Sequence, residues 1–309
     1  MAEVKVRKKI LFFSHAVTMA HFTRPMQWIE ALEQNQYDIY FACPLAFKKW
    51  IRIENLKWIN LECIATAAFA DSVNQAGLIY DLATFEKHIE EDIILMNQVQ
   101  PDLVIGDFRH SLSVSCRRLK IRYINMTNAY WSPHIKMHYP LPEAPIIRKL
   151  GERLSRVLLT PFTPFVLKFN FFKMVYILRR PLKSVGLRFN DYRQIITDGD
   201  ETIYFDTPDL VPIKRQSKNE KFMGPLVWSM PVELPKWWKQ LNPQKIRIFI
   251  ALGSSGNQEV LPLLIKSIAQ LDVEIIVALS EKKWNCLFFQ MSLQLTFCRL
   301  TKLAEILAW

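Results

Sequence analysis

Lys9-Ile-Leu-Phe-Phe13 is an apolar run that feeds a polar loop holding His15 and His21, followed by a helix-like stretch from Pro25. Far downstream the pattern recurs. Ile246 to Leu252 is apolar, Gly253-Ser-Ser-Gly256 is a small polar loop, and a helix-like stretch runs on to Gln270. Each reads as strand, loop and helix. In α/β proteins ligands sit at that junction, outside the carboxyl end of the strand. Two such openings a domain's length apart predict two α/β domains facing each other across a cleft.

Working outward from the first opening, short apolar runs alternate with helical patterns to about residue 125. Ile39-Tyr-Phe-Ala42 is a strand, Leu82 to Val99 carries apolar positions at helical spacing, and Leu103 to Gly106 is a strand with Asp107 just beyond it. Ser111 to Leu119 reads as helix and Ile121 to Met126 as the next strand. This alternation argues for a parallel sheet. Residues 127–200 differ: Pro133, Pro140, Pro142 and Pro145 break the chain, and aromatics and bases follow. The segment reads as an insertion beside the sheet, the kind of region that shapes a substrate pocket. Thr202-Ile-Tyr-Phe205 gives a further strand, and the stretch from Pro231 to Pro243 reads as an interdomain linker. In the second domain Val260, Leu263, Leu264 and Ile268 are expected on one apolar helix face.

The chain has 309 residues, of which 50% are hydrophobic, with a formal net charge of +11. Disorder is excluded by that composition. The basic balance favours anionic partners, but no compact Lys/Arg block marks a nucleic-acid footprint, and no nucleic-acid partner is expected. Cys43, Cys63, Cys116, Cys286 and Cys298 are scattered without a C-x-x-C pair, which reads as free thiols in a reducing cytosol. Val157 to Leu178 is the nearest thing to a membrane span, but Pro161, Pro164, Lys168, Asn170 and Lys173 interrupt it. It is expected to form helices within the first domain that brush a membrane surface at most. The expected location is cytoplasmic, with peripheral membrane contact as an option.

Two residues stand out for chemistry. His21 is expected in the loop before a helix that has Pro25 in its first turn, and Asp107 at the end of a neighbouring strand. In a parallel sheet both fall on the carboxyl edge. A carboxylate that fixes an imidazole's tautomer makes it a good general base. His15 competes with His21 and lies closer to the strand, and both residues can equally be polar loop groups. Gly253, Ser254, Ser255 and Gly256 offer N–H groups and hydroxyls at a helix N-terminus, suited to a donor phosphate. They lack the dinucleotide fingerprint and the P-loop lysine, and Ser and Gly also simply cap helices. His110, His134 and His138 show no metal-ligand spacing, so no metal site is expected.

Together these pieces resemble glycosyltransferases of the GT-B fold, close to the UDP-glycosyltransferase family. Phe13-Ser-His-Ala-Val-Thr-Met-Ala-His-Phe-Thr-Arg24 is similar to that family's opening loop, which usually carries Gly-His where this chain has Ala20-His21. Pro101-Asp-Leu-Val-Ile-Gly-Asp107 resembles the segment bearing the family's dyad acid. Phe222-Met-Gly-Pro-Leu226 looks like the closing strand of its acceptor domain, and Ile248 to Gly256 like the first strand and phosphate loop of its donor domain. The resemblance implies two Rossmann-like domains, the second incomplete: an acceptor-binding domain over 1–228, a linker over 229–244 and a partial nucleotide-sugar-binding domain over 245–309. It implies that His21 removes a proton from an acceptor hydroxyl and that Asp107 orients His21. The oxygen then attacks the anomeric carbon with inversion. The donor is a nucleotide sugar, UDP-linked by the family's habit, used as a substrate with no further cofactor. The apolar insertion hints at a lipophilic acceptor.

Only 65 residues (245–309) follow the linker, fewer than a full donor sheet needs. From Glu281 to Trp309 there is no Gly, Pro or Asp, so turn chemistry is absent. A reading-frame slip at Lys282-Lys283, or truncation, is the expected origin of this aberrant tail (281–309), the alternative being a natural short variant with a helical tail. Impaired transferase activity is expected of the chain alone. The competing functional reading is a noncatalytic binding or membrane-surface protein that keeps the acceptor domain.

Overall fold

The computed structural model describes residues 7–32, 36–54, 56–66, 68–69, 72, 79–136, 158–228, 236–252 and 260–278, and the backbone of 286–290. The chain divides into two compact units, 1–228 and 229–309.

The first unit is built on seven strands: β1 (Lys8–Ser14), β2 (Tyr37–Cys43), β3 (Lys57–Asn60), β4 (Leu103–Asp107), β5 (Arg122–Thr127), β6 (Glu201–Tyr204) and β7 (Glu220–Phe222). They form one sheet in the order β3-β2-β1-β4-β5-β6-β7, and every pairing is parallel. Parallel strands need crossovers that cover both faces, so central strands become apolar on both sides. β1 shows this directly. Ile10 and Phe12 enter one core with Phe22, Met26, Ile29 and Phe41. Leu11 and Phe13 enter the other with Met96, Val104, Leu112 and Tyr123. Helix α1 (Met19–Ala31) covers the first face; α2 (Leu82–Val99) and α3 (Leu112–Leu119) supply the second.

Local chemistry sets the helix ends. Asp81 caps α2 by accepting from the Thr84 N–H at 2.7 Å. The helix stops at Gln100, left-handed at φ 52°, ahead of Pro101, which disfavours helical conformation in the residue before it. The strand expected at 222–226 is three residues long and ends at Phe222. Asp107 is the last residue of β4 rather than the first beyond it.

The helix expected from Pro25 starts six residues earlier, at Met19, and Pro25 lies inside it. Proline normally breaks a helix because it cannot donate to the carbonyl four residues back. That carbonyl belongs to His21, and the Ser14 hydroxyl donates to it instead at 2.6 Å. The helix therefore tolerates Pro25, and His21 sits in its first turn rather than in a loop.

Helix α4 (Thr163–Lys183) begins with Pro164 in its first turn and runs unbroken for 21 residues. The prolines that suggested interruption mark a helix start, where the missing N–H costs nothing. Among the described residues no helix is long and apolar enough to cross a membrane. A short helix α5 (Arg193–Ile196) precedes β6.

In the second unit β8 (Ile246–Ala251) and β9 (Val273–Ala278) pair in parallel, and β10 (Cys286–Gln290) adds antiparallel to β9. The segment 286–290 is thus strand, not the helix of the short-variant alternative. Helix α6 (Leu261–Ile268) packs Leu261 and Ile265 against Ile250, Ile275 and Val277. Val260, Leu263 and Leu264, expected on the buried face, are exposed. The run is apolar over a wide arc, broken only by Lys266 and Ser267, so periodicity alone did not single out the face that packing selects. The Gly253–Gly256 loop lies outside the described residues.

Candidate active site

The strand order reverses direction between β1 and β4: β2 and β3 extend the sheet on one side, β5 to β7 on the other. Such a switch point opens a crevice at the carboxyl ends of the two strands. Ser14 and Asp107 are register partners there. The His15 N–H bonds the Asp107 carbonyl at 3.0 Å, which ties the start of the β1–α1 loop to the end of β4.

His21 and Asp107 meet in this crevice. Nδ1 of His21 lies 2.7 Å from Oδ1 of Asp107, with the carboxylate fully buried and the imidazole side chain 11% exposed. Arg24 Nη2 also lies 2.8 Å from Nδ1, so two groups meet that nitrogen; in the tautomer that places the Nδ1 proton on the acceptor-only carboxylate, Nε2 is the ring's lone-pair nitrogen. Phe108 follows Asp107 in a left-handed conformation, φ 59°. Its ring stacks on His21 with centroids 4.3 Å apart. A phenylalanine in that region stores of order 1 kcal/mol of backbone strain, and here the turn lays an apolar wall along the imidazole.

Arg24 is the partner that sequence reading missed. Its Nε lies 2.7 Å from Asp107 Oδ2 and its Nη2 donates to Oδ1 at 2.8 Å, a two-pronged clamp on the carboxylate. Nη1 donates to Asn128 Oδ1 at 2.6 Å, and Asp206 accepts from the Asn128 amide and from the Ala129 N–H. The signal was available in the i, i+3 spacing of His21 and Arg24, which places both on one helix face. One network thus crosses the carboxyl ends of β1, β4, β5 and β6.

Burial lowers the His21 pKa below its ordinary value; Asp107 opposes this and Arg24 adds to it. The imidazole is neutral at pH 7 and able to accept a proton. The imidazolium that results faces a carboxylate that is already fixed in place.

His15, the competing candidate, is fully buried. Its Nε2 accepts from the Ile64 N–H at 3.3 Å, and its ring packs edge-on to Tyr80 and His88. Burial, then Arg109, holds it well below its ordinary pKa. It is an interior group. Beneath it, buried Arg109 bonds Asp92 Oδ1, Glu91 Oε2 and the Glu62 carbonyl, each at 2.8 Å. The hydroxyls of Ser111 and Ser115 donate to Asp92. Burial works against the Arg109 charge, but Asp92 and Glu91 outweigh it and push its pKa up. This network braces the loop that carries Phe108 and His110. Aromatic rings surround the crevice: Phe69 and His110 lie edge-on to Phe108 at 5.3 and 4.6 Å. A cavity of about 580 Å³ lies apart from this cluster, lined by Lys120, Arg122 and Tyr123 at the amino end of β5.

Comparison with known proteins gives a consistent picture. No protein-family model matches the chain. A PGL/p-HBAD biosynthesis glycosyltransferase of Mycobacterium tuberculosis is 34% identical over 273 residues, 88% of this chain and 63% of its own length. A PGL/p-HBAD biosynthesis rhamnosyltransferase of Mycobacterium bovis is 34% identical over 88% of this chain and 60% of its own length. A shorter relative from Mycobacterium bovis, named an inactive PGL/p-HBAD biosynthesis glycosyltransferase, is 34% identical over 85% of this chain and 72% of its own length. The chain therefore spans 60 to 63% of the first curated relatives it matches. Among solved structures, spinosyn forosaminyltransferase SpnP superposes with a TM-score of 0.53 at 20% identity, covering 90% of this chain and 68% of that one. At that identity the likeness speaks for the fold, which is the α/β GT-B type.

Proposed function

The chain belongs to the glycosyltransferase family of the PGL/p-HBAD biosynthesis enzymes, and from that premise we propose that its first unit is the acceptor-binding and proton-accepting half of an inverting sugar transferase. The observation that carries this is the His21–Asp107 pair, 2.7 Å apart at the sheet's switch point. Nε2 of His21 takes the proton as the acceptor O–H bond breaks. The acceptor oxygen forms a bond to the anomeric carbon, and the bond from that carbon to the donor phosphate breaks. The nucleoside diphosphate leaves with the electron pair. Asp107, clamped by Arg24, stabilises the imidazolium, a charge that develops only as the reaction proceeds.

The donor is a nucleotide sugar, whose phosphates the Gly253-Ser254-Ser255-Gly256 loop would receive. The acceptor is a lipophilic molecule bearing a hydroxyl. The aromatic rings of Phe108, stacked on His21, and of Phe69 against it support that class, because such walls bury an apolar body and leave one polar group to be aligned. A noncatalytic reading has support in the relative named inactive. Against it, a clamped and buried carboxylate behind a neutral imidazole is expensive to maintain for binding alone.

The test is a chimera of residues 1–244 with the donor half of the Mycobacterium tuberculosis relative. It is assayed for nucleoside diphosphate release with a panel of nucleotide sugars and phenolic or aliphatic acceptors. Transfer that falls roughly 10²–10⁴-fold in His21→Ala supports the assignment. Equal turnover by chimera and variant removes it.

A further inference from the structure

Helix α4 is apolar on two opposite faces. Its inner face buries Met174, Val175, Leu178 and Leu182 against Tyr80, Phe85, Ile89 and Tyr192. Its outer face, with the turn that precedes it, presents Phe162, Phe165, Val166, Phe169, Phe172 and Tyr176, which are between 48% and 73% exposed. At 100° per residue these six fall within an arc of about 120°. The helix is roughly 30 Å long, so the stripe is far from a scatter of isolated surface residues. Bases accompany it. Between Leu158 and Asn190 the chain has Lys168, Lys173, Arg179, Arg180, Lys183 and Arg188, and no Asp or Glu. Lys173, Arg180 and Lys183 fall on the same arc as the exposed aromatics, and the Arg179 guanidinium lies over the Tyr176 ring at 3.9 Å.

We infer that this face docks on an anionic lipid surface, with α4 lying in the plane of the interface, its phenylalanines among the acyl chains and its bases among the headgroups. A second copy of the chain is the weaker occupant. A two-fold contact through this face would set its bases Lys173, Arg180 and Lys183 against the same all-basic face of the second copy, and the segment holds no carboxylate to pair with them. Anionic headgroups meet the bases on this face instead. Docking would also bring the crevice to where a lipophilic acceptor resides, a consequence that rests on the sugar-transfer reading; the docking itself does not.

The experiment floats the 309-residue chain with vesicles of phosphatidylcholine alone or with about 30% phosphatidylglycerol. Flotation is expected on the anionic vesicles and is expected to fall roughly tenfold without phosphatidylglycerol or at high salt. The double variant Phe165→Asp/Phe169→Asp should lose flotation while keeping the wild-type circular dichroism and urea midpoint, since both side chains are exposed. Three results would overturn the inference: no flotation on any vesicle, flotation of the variant equal to wild type, or a lipid-free dimer that the variant dissolves. The last would assign the face to a second copy. No arm uses a donor or acceptor, so a failed transfer assay leaves this result standing, and the reverse also holds.

Discussion

Acid should loosen this protein well above the range where carboxylates titrate. His88 and His110 are buried, and burial, then neighbouring charged groups, lowers the pKa of each from 6.5 to about 3. In the unfolded chain they titrate near 6.5. Between those values the unfolded state binds more protons than the folded state, so stability falls as pH falls. The stabilisation is complete above pH 6.5 and is lost progressively below it. At pH 5.5 each histidine has forfeited about 1.4 kcal/mol, and the two together about 3 kcal/mol. His15, lowered in the same direction, adds to the loss. Against a total of about 5–15 kcal/mol for a typical domain, the effect is large. Urea unfolding followed by circular dichroism at pH 7.5 and 5.5 should show the midpoint falling by roughly 1 M or more. Asp198, whose pKa burial pushes up, works in the opposite sense. Measuring His88→Gln at the same two pH values removes that contribution by subtraction. The variant should show a pH difference smaller by about 1.4 kcal/mol. A wild-type midpoint that moves by less than about 0.3 M would mean these imidazoles are not held neutral, and the reasoning would fail.

In the chimera, Asp107→Asn should lower turnover by roughly 10²-fold or more with a smaller change in KM, because it removes stabilisation of a charge formed late; an unchanged kcat would count against the dyad. Asp92→Ala should destabilise the chain by about 3 kcal/mol by removing the fully buried carboxylate partner of Arg109, read as a loss of urea midpoint. Ser14→Ala leaves the His21 carbonyl without its donor and should cost about 1–3 kcal/mol in the same measurement. Gly199→Ala would set a Cβ 2.7 Å from the Glu201 carbonyl oxygen, so it should cost about 1–3 kcal/mol; equal Tm values for Gly199→Ala and wild type would contradict the packing.

The amino-acid sequence by itself determined the sheet. Strand runs such as Lys8–Ser14 and Leu103–Asp107 alternate with helical patterns, and that alternation argues for a parallel sheet covered on both sides. That architecture places strand ends on one edge, which is why His21 and Asp107 were legible as a pair although 86 positions separate them. Tertiary packing decided what periodicity leaves open. His15 and His21 are equally plausible in a loop; burial behind Tyr80 and His88 removed the first, and a donated Ser14 hydroxyl let α1 start early enough to carry the second. Arg24 stands in the opening-loop motif without an assigned role until its guanidinium closes on Asp107. The runs in α4 and α6 are apolar on more than one side, so which stripe packs inward depended on the shape of the surface beneath. Local pattern records which residues avoid water; which partner each one finds is fixed only when distant segments compete for the same space.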